Sequence, residues 1–342
     1  MTFRAVAALA LALTAACSST SRNAAPTGVT SPATSAPSVG ATTAPPPAAT
    51  PGPAVDWLTG LTPVLTGPVV AVKVDDVPLA RPYQRGLRQA AVVYQELVEG
   101  GATRLLAILE SDAAGRTEIG PVRSVRESDL ELLREYGRVT VAFSGGNRGV
   151  KATFAAAVRA GQVLDGSFDA VPDAYRLAER RSDARNFYTS AAAVRRLRPG
   201  AGPQDIGLRF GAQPGGVLTD AMTATYARGT AIRVRWDAGS GTWVLTQAGR
   251  ALPVAPRNVI VQVVRVRASR YVDIVGLGTP YTLSTGTGPA YVLRDGRRFP
   301  GHWTRQGLGA TRFVDAAGHD LLLHAGPSWV FLLPSTGATA FS

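Results

Sequence analysis

The sequence predicts an α+β protein, with an N-terminal mixed α/β domain followed by a mostly β C-terminal domain. Three observations predict it. Up to about residue 200, short apolar runs alternate with helical stretches, the pattern of a layered α/β unit. Beyond the Pro/Gly clusters at Pro199–Pro203 and Gln213–Gly216, the texture changes to closely spaced strands and turns. Before residue 57, the composition cannot supply a core.

In chain order, Arg4 and the amino terminus precede the apolar run Ala5–Ala16 and then Cys17, the lone cysteine. That run is too short for the ~30 Å hydrocarbon layer, so it is expected to be a signal peptide over 1–17 rather than a membrane span. Leu13-Thr14-Ala15-Ala16 before Cys17 is similar to a bacterial lipobox, with Leu one place further back than usual. Cys17 is therefore the expected lipidation site, its acyl chains (palmitate or similar) each contributing ~0.8 kcal/mol per buried CH₂. From Ser18 to Asp56, only Arg22, Asn23 and Asp56 fall outside Ala, Pro, Ser, Thr, Gly and Val. Residues 18–56 are expected to be a disordered tether.

The α/β domain is expected over 57–200. Pro68–Asp75 reads as a buried strand, Ala90–Tyr94 as a short apolar element, and Arg104–Glu110 as a third strand. Asp129–Tyr136 has helical composition with Ser128 as its expected N-cap. Val139–Phe143 is a strand and Lys151–Ala160 an alanine-rich helix. The β domain is expected over 217–334, as a small sheet or barrel-like unit. Ile232–Trp236 and Thr242–Thr246 flank a turn, Asn258–Val266 is a long strand, and Arg294-Asp295-Gly296 and Asp315–Gly318 separate extended runs.

The formal charge of +12 suggests nucleic acid at first. The charge is dispersed, however, with no run of more than two consecutive basic residues, whereas nucleic-acid binders gather charge in a patch. No nucleic-acid partner is expected. One cysteine excludes disulfide frameworks and thiolate zinc clusters. His319 and His324 lie five apart on a predicted strand, on opposite faces, so no metal and no cofactor is expected.

Five ordered motifs carry a resemblance: Gly100–Arg104, Ile119–Arg126, Asn186–Ser190, Asn258–Gln262, and Arg294–Arg297 with Gly301-His302-Trp303. The series resembles the YerB-like bacterial lipoprotein family from about Leu58 to Pro334; its two-part domain has no established function. The chain departs from that pattern where a pair of asparagines is common (Asp75-Asp76), and where histidines stand (Phe143-Ser144 and Arg185). The resemblance implies a lipoprotein held at the cell membrane, and Asn186, which opens one motif, joins the candidate ligand residues.

The richest constellation is Arg104, Arg123 and Arg126, with Glu96 and Glu99 close in sequence. Guanidinium forks match phosphate or carboxylate oxygens bidentately. The set is expected either to bind an anionic group or to be an Arg–Glu network tying strands together. Ser144–Gly149, between a strand and a helix, could cradle an anion or simply turn. Glu96 and Asp75 are the candidate catalytic carboxylates, the pairing that glycosidic hydrolysis needs. Trp236, Trp243, Trp303 and Trp329 read as core rather than as a sugar-stacking platform. The leading function is an extracytoplasmic, membrane-anchored module binding an anionic cell-wall glycan or an envelope protein. An envelope enzyme acting on a glycan or phosphodiester, and a structural assembly factor, are the alternatives.

Overall fold

The computed structural model describes residues 55–342 except 181–184, 227–228 and 274–275. The expected signal peptide, Cys17 and the expected tether up to residue 54 lie outside the described residues. The last tether residue belongs to the fold instead. Asp56 is buried, and its carboxylate accepts from Leu58 N (3.0 Å), Thr59 N (2.9 Å), Thr59 Oγ1 (2.8 Å) and Leu65 N (3.3 Å). An aspartate placed before a turn satisfies backbone donors that composition alone does not register.

The first half supplies strands β1 (Val69–Asp75), β2 (Val92–Leu97), β3 (Thr103–Glu110), β4 (Ile119–Val122), β5 (Thr140–Ala142), β6 (Leu164–Asp165), β7 (Arg176–Arg180) and β8 (Arg185–Thr189). Between them lie helices α1 (Ser111–Ala114), α2 (Glu127–Leu133), α3 (Arg148–Arg159) and α4 (Ala191–Leu197). The second half is built of strands: β9 (Val217–Leu218), β10 (Ala221–Thr225), β11 (Ala231–Asp237), β12 (Thr242–Gln247) and β13 (Arg250–Ala251) come first. Then follow β14 (Asn258–Val264), β15 (Val266–Val272), β16 (Gly278–Thr282), β17 (Gly286–Arg294), β18 (Arg297–Arg305), β19 (Arg312–Val314), β20 (Ser328–Pro334) and β21 (Ala338–Phe341). The protein is α+β, with its C-terminal part mostly strand.

The second half divides its strands between a five-stranded sheet of its own and a larger sheet that it shares with the first half. The main sheet runs β19-β18-β17-β14-β20-β2-β3-β1-β4-β8-β7, so strands from both halves share one surface. The join is the parallel pair β2–β20, where Val92 meets Ser328 and Tyr94 meets Val330. Ser328–Pro334 is buried along its whole length, the pattern of a central strand covered on both faces. A further sheet, β13-β12-β11-β10-β21, and the hairpin β15–β16 complete the strands.

Alternation along β1 shows what covers each face. Val69 and Ala71 pack with Leu132 of α2 and Val150 and Phe154 of α3. Val70, Val72 and Val74 pack with Val194 of α4 and with Ile232, Val234, Trp243 and Leu245 of the five-stranded sheet. Trp243, Trp303 and Trp329 are fully buried, and Trp236 packs against Trp243 in a tilted contact at 5.1 Å between centroids, so these four tryptophans are core.

Two helix starts differ from expectation. Helix α2 begins before Ser128, because the Asp129 carboxylate accepts from Arg126 N at 2.7 Å and fixes the turn there; the Ser128 hydroxyl goes to Glu96 instead. Helix α3 begins at Arg148, with Asn147 Oδ1 accepting from Gly149 N at 2.7 Å.

Candidate functional site

The site begins with strand register. Glu96 on β2 pairs with Arg104 on β3, and Arg104 pairs with Asp75 on β1. Directly paired residues project to the same face, so three charged side chains stand in a row at one end of the sheet. Lys73, two residues before Asp75, lies on that face as well. After β4 the chain crosses this row, with Arg123 N donating to Lys73 O at 2.9 Å. Arg123–Arg126 thus forms the strand-to-helix junction directly beside it.

Burial divides the row. Lys73 is completely enclosed and bridges Glu96 and Asp129, the latter at 2.9 Å, while Ser128 Oγ donates to Glu96 at 3.2 Å. Burial, and then the neighbouring Asp129 carboxylate, push the Glu96 carboxyl above its ordinary range against the pull of Lys73. One ammonium between two enclosed carboxylates is a self-contained network, in which each charge depends on the others.

The other end is open. Arg104, Arg123, Arg126 and Glu99 line a single cleft of about 360 Å³, together with Gly146 and Asn147 of the glycine loop and Leu277 and Thr279 of the β15–β16 hairpin. The hairpin is fastened to α2: Ser269 donates to Glu127 (2.7 Å), and Tyr281 (2.9 Å) and the Ser284 and Thr285 amides (2.8 and 3.0 Å) donate to Glu131. Asn147 also donates to Val272 O, which ties the glycine loop to the same hairpin.

The three arginines are not equivalent. Arg126 is saturated: its guanidinium donates twice to Glu99 Oε2, at 3.2 and 2.5 Å, and to the carbonyls of Ser124 and Val125. Thr279 donates to the other Glu99 oxygen at 2.8 Å. Although burial pushes the Glu99 carboxyl up, Arg126 outweighs it and holds Glu99 below its ordinary range. Arg104 and Arg123 share Asp75 instead, at 3.8 and 3.1 Å. Arg104 is buried, and its Nε has no hydrogen-bond partner among the described residues. Burial and then the Arg126 cation pull it down to about 10, which still leaves it charged at neutral pH. The Arg123 side chain is 31% exposed and faces the cleft. Two guanidinium forks beside one shared carboxylate can donate to the oxygens of a phosphate, uronate or carboxylate.

Of the residues singled out from sequence, the structure brings Arg104, Arg123, Arg126 and Glu99 into the cleft. Asp75 is buried behind the two arginines that it pairs with, and Glu96 is sealed in the Lys73 network; neither lines the cleft. Asn186 is buried in β8 and does not line it either; its side-chain amide has no partner among the described residues. Asp76 turns away from Asp75 and is enclosed by Thr103 (2.6 Å) and Gln95 (2.7 Å). His319 and His324 contact Asp315 and Asp295 respectively, and no metal-holding cluster occurs among the described residues. Sequence reasoning missed Lys73, Asp129 and Thr279. The signal for Lys73 was present, as a lone lysine inside an otherwise apolar strand must find a carboxylate.

Comparison with known proteins places this arrangement. A 72-residue segment is 43% identical to "Putative lipoprotein YerB" of Bacillus subtilis (strain 168), covering 21% of this chain and 21% of that protein. The matched segment thus spans about a fifth of the curated relative's length. The crystal structure of the YerB protein from Bacillus subtilis superposes with a TM-score of 0.68 at 20% identity, over 84% of this chain and 99% of that one, which establishes a shared fold. Residues 58–204 match the N-terminal domain, and residues 222–330 the C-terminal domain, of a protein family of unknown function, DUF3048. The chain belongs to the DUF3048 family.

Proposed function

We propose that this protein is a lipoprotein, anchored through Cys17 on the extracytoplasmic face of the membrane, whose arginine cleft binds an anionic group of the cell envelope. The observation that carries the reading is the sharing of Asp75 by Arg104 and Arg123, which leaves guanidinium donors directed at an open cleft. The similarity to a protein named as a lipoprotein supports the anchoring half, as does the position of the lone cysteine after an apolar run. An acidic cell-wall glycan fits the cleft best, because repeated carboxylates or phosphates at low individual affinity suit an open, solvent-facing site. Asp75 and Glu96, the candidate catalytic pair, are both enclosed, so binding is favoured over hydrolysis.

The test is a thermal melt of the purified protein with and without polygalacturonate, followed by analysis of the polymer for cleavage. A concentration-dependent rise in melting temperature with intact polymer is expected. Shortened polymer would favour an enzyme, and no shift with this or a phosphate-bearing wall polymer would end the binding reading. Anchoring is tested separately: Cys17→Ser should release the protein from the membrane fraction, and retention at high salt would contradict it.

A further inference from the structure

A second pocket, of about 450 Å³, adjoins the arginine cleft, and Ala102 lines both. It lies between the far face of the main sheet and the five-stranded sheet, where Thr103 and Asp76 meet Thr230, Ala231 and Gln247. The Gly100-Gly101 turn, at φ +69° and +80°, brings its backbone close enough for Thr230 Oγ1 to donate to Gly101 O at 2.9 Å, which fixes one rim. Asp76 and Arg81, the charged residues of the lining, are paired with each other: Arg81 Nε lies 3.4 Å from Asp76 Oδ1, and Arg81 Nη2 donates to Asp76 O at 2.9 Å. The pocket therefore has no excess charge to offer an ion.

It offers Gln247. This side chain lines the pocket and is 2% exposed, yet neither its Oε1 nor its Nε2 has a hydrogen-bond partner among the described residues. A buried carboxamide with both ends unanswered is destabilising, and native proteins keep few of them. The group it would accept must offer a donor beside an acceptor and carry no charge.

We propose that this pocket is a binding site for a neutral sugar unit, with Gln247 accepting from one hydroxyl and donating to its neighbour. A vicinal diol satisfies both ends in either orientation, because each hydroxyl can play either role. Ala102 and Ala248 in the same lining provide apolar surface for the C–H face of a sugar ring. The site is distinct from the arginine cleft and does not depend on it for its chemistry.

The test uses the full chain and the methyl glycosides of glucose, galactose, mannose and arabinose at millimolar concentration, followed by the Gln247 side-chain amide resonances. At least one glycoside should shift them. Gln247→Leu should weaken that binding roughly tenfold or more, the effect of two lost hydrogen bonds, while leaving the melting temperature unchanged or raised. Arg123→Ala should leave glycoside binding unaffected. The proposal is overturned if no glycoside perturbs Gln247, if propionamide does so and the glycosides do not, or if binding survives Gln247→Leu. Loss of polygalacturonate binding in Arg123→Ala with glycoside binding retained would separate this site from the anion cleft.

Discussion

Arg123 and Arg126 stand three residues apart on one junction and do opposite work. Arg126 fills its donors with Glu99 and two backbone carbonyls, while Arg123 keeps a third of its side chain in solvent beside a shared Asp75. Truncating Arg126 leaves Glu99 without its cation in a confined setting, so Arg126→Ala should cost ~3 kcal/mol of folding stability, read as a lower denaturant midpoint. Arg123→Ala leaves the buried Asp75 carboxylate with Arg104 at 3.8 Å, so it should cost less than Arg126→Ala. Equal losses from the two substitutions would contradict this division. The three-residue spacing after Gly120-Pro121 was legible in the sequence; which arginine is saturated was not, because Glu99 reaches Arg126 from a loop 27 residues away. Likewise Glu96 was singled out in the sequence as a candidate carboxylate, but its enclosure with Lys73 and Asp129 depends on three separate elements meeting.

At the level of elements, the entry of the chain into the fold depends on the end of β3. Glu110 closes that strand and lies beside Asp56, and burial first, then the hydrogen-bonded Asp56 carboxylate, push its pKa from the ordinary 4.5 to about 9. Folding therefore favours the protonated Glu110. Its contribution is full below about pH 4.5 and is lost as pH rises through about 9. Urea unfolding should show stability falling between pH 6 and pH 9, by an amount on the order of a few kcal/mol, and Glu110→Gln should flatten that fall. An unchanged slope in the variant would assign the pH dependence elsewhere. Strands were the most legible elements: β1, β3, β5, β11, β12 and β14 lie close to where apolar runs and alternation put them. Helix starts were less so, because Asp129 and Asn147 act as caps through side-chain geometry that periodicity does not record. The place of β20 was hidden for a different reason: a buried central strand reads as apolar whichever sheet it joins.

For the whole molecule, α+β character and a strand-rich second half follow from sequence texture, but the continuous sheet does not. A parallel pairing between β2 and β20, over 200 residues apart in sequence, has no local signature. The Ala/Pro/Ser/Thr segment ahead of the fold should act as a spacer, so deleting residues 24–54 should leave the melting temperature within a degree or so of the full chain; a drop of several degrees would show that the segment packs on the folded part. The most direct test of the account is a titration of polygalacturonate into wild-type protein and Arg123→Ala, matched for fold by their melting temperatures. The account predicts binding by the wild type that weakens with added salt, and a loss of ~1.5–3 kcal/mol in the variant. Indistinguishable affinities for the two proteins would contradict it, and the arginine cleft would then be a structural network alone.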